Sequence, residues 1–268
     1  MAVKLFVTDL DGTLLPSGKE VSPENIRAVQ EAAARGVVVT IATGRMYRAT
    51  LPVAQSLGVD VPIITYNGAL IKSVQGEVFY SDSLLPENIL AVLEFCREKN
   101  WHIQLYSDDV LYYAEANRYS ERYEALQQIK GQAVGWQELA KRTAHVTKLL
   151  SVSDSQEETD ERVRILQSEF EGRLVVMKSH PLYTEIINPG ISKAAGLERL
   201  ASLLGIDIRD TMAIGDSDND IPMLKAAGKS VAMGNALPGV KDVCDYVTGS
   251  CEDNGVAEAI RQYVLQEK

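Results

Sequence analysis

Short apolar runs recur along the chain, separated near its two ends by stretches of helical period. Val3, Leu5, Phe6 and Val7 make the first run. It is β-prone and apolar on both faces, which suits a strand buried inside a parallel sheet. Ser22, Pro23 and Glu24 then open a helix, an N-cap residue followed by proline at the first helical position, and Gly36 closes it. Residues 37–43, VVVTIAT, read as a second buried strand. Residues 46–57 read as a helix with Pro52 as the place for a kink, and residues 62–66 as a third strand ending at Asn67 and Gly68. Strand, helix, strand, helix, strand predicts an α/β fold with a doubly wound, Rossmann-like parallel sheet.

After Ala69 the pattern changes. Residues 70–72 and 77–80 flank Gln75 and Gly76 as a hairpin would. A helix over 86–99 is followed by HIQLYS and VLYYAE around Asp108 and Asp109, a second hairpin. A helix at 119–129, a strand at 145–152, a helix from about 157 to 170, and the runs LVVMKSH and YTEIIN complete the middle. Hairpins mixed with helices predict an inserted α+β module with an antiparallel sheet, spanning 84–187. From Ser192 the strand-helix alternation returns. A helix over 192–204 ends at Gly205, a strand over 211–214 runs into the acidic loop GDSDND, and a helix over 221–227 follows. Short strands at 230–233 and 246–248 precede a last helix from Val256. A first domain, 1–83 and 188–268, is thus interrupted and then finished. No internal repeat or low-complexity tract is present.

Length and charge narrow the partners. A chain of 268 residues exceeds the usual single domain and has ample core. A net charge of −10, with no basic patch, argues against general binding to nucleic acid or to an anionic membrane surface. The first apolar run is too short for a signal peptide, and no run approaches the roughly 20 residues that span a bilayer. A cytoplasmic protein is expected, with a monomer as the default. Cys96, Cys244 and Cys251 are odd in number, scattered and without a CxxC pair, so neither a disulfide framework nor a zinc site is suggested.

Candidate chemistry lies at the ends of the expected elements. Asp9 and Asp11 are two apart, so in extended chain their carboxylates leave the same side while Leu10 points the other way, and Gly12 permits a sharp turn. Two anions held that close need a cation, a shared proton or a substrate. Thr43, Lys193 and the run from Asp216 to Asp220 fall at further element ends of the same sheet. If the chain turns helically there, Asp216 and Asp220 share a face, with Asn219 beside them. Hard oxygen ligands of this kind suit Mg²⁺ with water and a substrate phosphate. Asp216, Asp218 and Asp220 also match the first, third and fifth positions of a calcium loop, but Ile221 stands where glycine is needed and Ala227 where glutamate is needed. Each residue has a plainer alternative: an acidic corner at Asp9 and Asp11, a strand threonine at Thr43, a solvated first-turn lysine at Lys193, a helix N-terminal charge at Asp220.

Together these residues carry a resemblance. DLDGT at 9–13, ATGR at 42–45, the lysine of ISKAAGL and GDSDND at 215–220 resemble the four motifs of the haloacid dehalogenase superfamily of phosphohydrolases. NGA at 67–69 and the large insert resemble the Cof-type subfamily with a type IIB (C2B) cap. The resemblance implies a Mg²⁺-dependent phosphomonoester hydrolase acting on small phosphorylated metabolites such as sugar phosphates. It implies that Asp9 is the nucleophile, forming an aspartyl-phosphate, and that Asp11 protonates the leaving alcohol and then activates water. The metal would be held by Asp9, the Asp11 carbonyl and Asp216; phosphate by Leu10, Thr43, Gly44, Lys193 and Asn219. Asp220 would orient Lys193 or a metal-bound water. Arg45 would either reach substrate or pair with an acidic neighbour. The insert's place between two phosphate-binding motifs implies a cap that closes over the core and selects substrate. Departures are small: Ala194 where many relatives carry glycine, and Asn254 where aspartate is common. His102, His145 and His180 fall in the insert and read as surface or strand residues, and Trp101, Tyr112 and Tyr113 as packing. Two alternatives stay open: phosphomutase-type transfer, or a catalytically silent phosphometabolite-binding regulator, which the presence of Asp11 disfavours.

Overall fold

In the computed structural model, which describes residues 3–16 and 20–266, the first apolar run becomes β1, Leu5–Thr8, buried along its whole length. Helix α1, Pro23–Ala34, starts where Ser22 Oγ accepts the Asn25 N–H at 3.1 Å. Strand β2, Val38–Ile41, lies parallel to β1, and α2, Tyr47–Leu57, carries Pro52 inside it and ends at left-handed Gly58. The third strand, β3, Ile63–Thr65, departs from expectation. It joins β4, Leu70–Lys72, and β5, Val78–Ser81, in a separate three-stranded sheet, and on the β2 side its ladder pairing among the described residues is the single bridge from Ala42 to Ile64. The cause is local. β2 stops at Ile41, one residue before the bridge, and Tyr66 and Asn67 turn left-handed directly after β3, so little extended chain is left for pairing.

The chain divides into two compact units, Met1–Tyr80 with Ser192–Lys268, and Ser81–Ile191. The second contains α3, Pro86–Glu98; β6, Ile103–Ser107; β7, Val110–Tyr113; α4, Arg118–Gln127; β8, Gln132–Ala133; α5, Trp136–Leu139; β9, Val146–Val152; α6, Gln156–Glu169; β10, Val175–His180; and β11, Tyr183–Ile187. Its sheet order is β10-β11-β9-β6-β7-β8, antiparallel except for β7 with β8. Asp108 and Asp109 both turn left-handed between β6 and β7, as a two-residue hairpin requires. Ile103, Leu105, Leu149 and Ile186 present one apolar face to Val92, Leu93 and Cys96 of α3 and to Leu166 of α6. Sequence pattern missed β8 and α5 because elements of two and four residues have no period to read.

The first unit resumes with α7, Lys193–Leu203, capped by Ser192; β12, Thr211–Gly215; α8, Ile221–Ala226; β13, Lys229–Ala232; the short α9, Pro238–Lys241; β14, Tyr246–Val247; and α10, Gly255–Ala259, which runs on into a π-helical turn, Ile260–Leu265. The five strands of its larger sheet are all parallel in the order β14-β13-β12-β1-β2. The doubly wound core therefore stands. Its strand order reverses between β1 and β12, and in such sheets the crevice outside the carboxyl ends at that switch point is where ligands bind. Asp9 follows β1 there, and Asp216 follows β12.

Candidate active site

Parallel pairing brings residues two hundred positions apart to one spot. Thr8 is level with Ile214, and the Asp9 N–H donates to the Ile214 carbonyl at 3.0 Å. Gly12 turns the chain at φ +78°, and a Cβ on it would lie 2.5 Å from Asp216 Oδ2, so only a bare Cα admits that carboxylate. Thr13 Oγ1 donates to Asp216 Oδ1 at 2.8 Å. Lys193, at the start of α7, is 1% exposed, and its Nζ lies 2.5 Å from Asp9 Oδ1 and 2.6 Å from Asp220 Oδ1. Asp220 Oδ2 accepts the N–H groups of Asp216 and Ser217 at 3.0 and 3.1 Å. A solvated lysine and a mere helix-end aspartate are both excluded by these contacts.

Oxygens of Asp9, Asp216 and Asp220 all lie within 4.8 Å of one another. Three carboxylates thus face one ammonium. Burial, and then the Asp220 charge, push the Asp9 carboxyl well above its usual range against the pull of Lys193. Burial pushes Asp216 up to about 6, opposed by its hydrogen bond from Thr13. Burial alone would lower Lys193, but Asp220 and Asp9 outweigh it and the ammonium is held firmly charged. Asp220 is saturated by Lys193 and two backbone donors, whereas Asp9 Oδ2 and Asp216 Oδ2 accept no hydrogen bond among the described residues. Two hard oxygens in a site with excess negative charge, one of them cradled by Gly12, fit a divalent cation.

Around this cluster the other expected residues form two further groups. Both Asp11 oxygens accept from the Arg45 guanidinium, at 2.7 Å from Nε and 2.5 Å from a terminal nitrogen, so of its two readings Arg45 takes the acidic neighbour. Asp11 is accordingly not the third carboxylate of the cluster; Asp220 is. Thr43 is buried, and its Oγ1 accepts the Arg45 N–H at 3.2 Å. Asn219 donates from Nδ2 to Asn67 Oδ1 at 3.1 Å and accepts from Ser217 Oγ at 3.0 Å, while Gly44 packs against the Asn67 amide. Leu10 is fully buried, its carbonyl accepting the N–H of Leu15 at 2.8 Å. Thr13, Ser217 and Asn67 were not foreseen as site residues. The first two lie inside the recognised motifs, and Asn67 stood in plain view in NGA.

The three histidines lie in the other unit, as do the aromatic residues expected to pack. Trp101 meets Phe95 edge-on at 6.0 Å, the Tyr113 hydroxyl donates to Glu124 at 2.6 Å, and the Arg142 guanidinium lies 3.9 Å from the Tyr112 ring centre.

Carboxylates and a buried lysine thus gather at the switch point of a doubly wound sheet, and comparison with known proteins gives the class. Residues 6–260 match the haloacid dehalogenase-like hydrolases, and the chain belongs to that family. It is 34% identical to the 5-amino-6-(5-phospho-D-ribitylamino)uracil phosphatase YcsE of Bacillus subtilis, over 98% of this chain and 96% of that one. It is 29% identical to the phosphatase YwpJ of the same organism, over 97% and 99%. The crystal structure of TM0651 from Thermotoga maritima superposes with a TM-score of 0.86 at 32% identity, covering 97% of each chain. Within its family the protein is a phosphatase of the Cof type.

Proposed function

We propose that the protein hydrolyses phosphate monoesters of small metabolites, sugar phosphates and related phosphorylated polyols, with Mg²⁺ and through an aspartyl-phosphate on Asp9. What supports this above all is the convergence of Asp9, Lys193 and Asp216 in one buried cluster whose charge calls for a cation. The phosphorylated ribityl compound in the name of a relative sharing 34% identity fits the substrate class. Asp9, Asp216 and the Asp11 carbonyl would hold the metal, which supplies charge neutralisation between an acidic site and a dianionic ester.

The chain's own residues account for the rest. An Asp9 oxygen forms a bond to phosphorus as the bond from phosphorus to the leaving oxygen breaks. Asp11, once detached from Arg45 and protonated from solvent, gives that proton to the leaving oxygen, then takes one from water as the water oxygen bonds to phosphorus and the Asp9 carboxylate is released. Lys193 and Asn219, with Thr43 and the backbone N–H of Gly44, would hold the phosphoryl oxygens. The Lys193 charge also offsets the repulsion that an arriving dianion meets from Asp9. The 1–83 and 188–268 segments are the catalytic domain in this reading.

Phosphate release from p-nitrophenyl phosphate, with Mg²⁺ and with chelator, tests it. Turnover that needs the metal and vanishes in Asp9→Asn is expected. No turnover by the wild type, or equal turnover by the variant, defeats the proposal. A panel of phosphorylated sugars and polyols then assigns the substrate.

A further inference from the structure

Between β3 and β4 the backbone adopts a conformation that side chains rarely accept, among the residues proposed to hold phosphate. Tyr66, Asn67 and Gly68 follow one another at φ 52°, 55° and 101°, and all three are buried. Asparagine tolerates the left-handed region, but a tyrosine there is an outlier, and such a run persists only where its surroundings over-determine it.

They do so on three sides. The Asn67 N–H donates to the Thr43 carbonyl and the Tyr66 N–H to the Arg45 carbonyl, each at 2.9 Å, which clamps the turn to the end of β2. Gly68 presses on the start of α7. A Cβ on Gly68 would fall 2.2 Å from the Ser192 carbonyl oxygen, and Lys193 is the next residue. The third side is the Asn67 side chain. Its Oδ1 accepts from Asn219 Nδ2 at 3.1 Å, and a Cβ on Gly44 would lie 3.1 Å from that same oxygen. One turn thereby touches the chain segments that carry Thr43, Gly44, Lys193 and Asn219.

We infer that Asn67 is a positioning residue for the phosphate pocket, acting through Asn219. The Asn219 amide is held at both ends, its oxygen by the Ser217 hydroxyl and one N–H by Asn67. That fixes which way the amide faces and leaves its second N–H to donate to a phosphoryl oxygen. The inference rests on the reading of Asn219 as a phosphate contact.

The test is a double-mutant cycle read by inorganic phosphate as a competitive inhibitor of p-nitrophenyl phosphate hydrolysis with Mg²⁺. Asn67→Gly keeps the left-handed backbone free of strain while removing the side chain. Asn67→Gly and Asn219→Ala are each expected to raise the inhibition constant for phosphate about tenfold, as loss of one oriented hydrogen bond does. The double variant is expected to bind phosphate no more than about twofold more weakly than Asn219→Ala alone. A merely structural role would lower the active fraction or Tm and leave the inhibition constant unmoved. The inference is overturned by an unchanged inhibition constant in Asn67→Gly, or by an undiminished Asn67→Gly effect in the Asn219→Ala background, in enzyme that still turns over. Absence of turnover in the wild type overturns the phosphatase reading itself.

Discussion

Lys193→Met isolates the one cation in the buried acidic cluster. The ammonium is within hydrogen-bond reach of Asp9 and Asp220, whose side chains are 5% and 0% exposed, so its loss strands two carboxylates beside a third at Asp216. Removing one member of a buried ion pair costs about 3–5 kcal/mol, chiefly through the charge left behind. For a chain of this size that is a fall in Tm of roughly 6–20 °C without metal. The deficit has a pH signature. Asp9 and Asp216 already have raised carboxyl pKa values, so between the unfolded and folded values the native state binds more protons than the unfolded one, and stability falls as pH rises. Without Lys193 both rise further, and the deficit should be largest at about pH 8 and shrink towards about pH 5. Thermal melts monitored by circular dichroism at both pH values, alone and combined with Asp220→Asn, measure it. A coupling energy above about 1 kcal/mol between the two substitutions is expected. A Tm unchanged at both pH values, or strictly additive losses, would refute the assignment of Lys193 as the ion that balances the cluster.

Asp9→Asn should end turnover yet raise metal-free stability by about 1–2 kcal/mol, because it removes a charge that the fold disfavours; a less stable variant in the same melts contradicts this. Saturating Mg²⁺, at about a hundred times its Kd, should stabilise the wild type by about 2.7 kcal/mol and Asp9→Asn by clearly less; equal shifts would remove Asp9 from the metal site. Gly12→Ala meets both a left-handed φ of +78° and the Asp216 carboxylate, so a loss of about 1–3 kcal/mol and of most phosphate release is expected; full activity in this variant contradicts the packing described. His102 is buried neutral, its pKa lowered by burial from 6.5 to about 4. Its native form therefore resists the proton that the unfolded form accepts, and its contribution, present above pH 6.5, is lost as pH falls towards 4, about 3 kcal/mol in all; the acid limb of the stability curve should flatten in His102→Gln.

Much of the core was legible because its signals are local. Capping at Ser22 and Pro23, the β-branched run at 37–43 and the Gly58 stop are each fixed by chemistry within a few residues. The site was legible for a different reason: two acidic corners, a threonine and a lysine fell at element ends in the order of four motifs that the chain resembles. What could not be read depends on long-range partners. The allegiance of β3 turns on how far β2 extends beside it. The pairing of Arg45 with Asp11 depends on the reach of one side chain across a turn, and the service of Asn67 on contacts with Gly44 and Asn219 that no spacing announces.

The pairing of β1 with β12 also dictates when the enzyme can come into being. Leu5 lies level with Thr211, and the whole second unit, Ser81–Ile191, is made between them. During synthesis the first strand must wait, one flank open, while a contiguous segment of more than a hundred residues emerges ahead of its mate. Asp9 leaves the ribosome well before Lys193, Asp216 and Asp220, which surround it in the fold. A nascent chain stalled before residue 211 would carry Asp9 without Asp216 and Asp220 beside it, and an exposed strand edge with it.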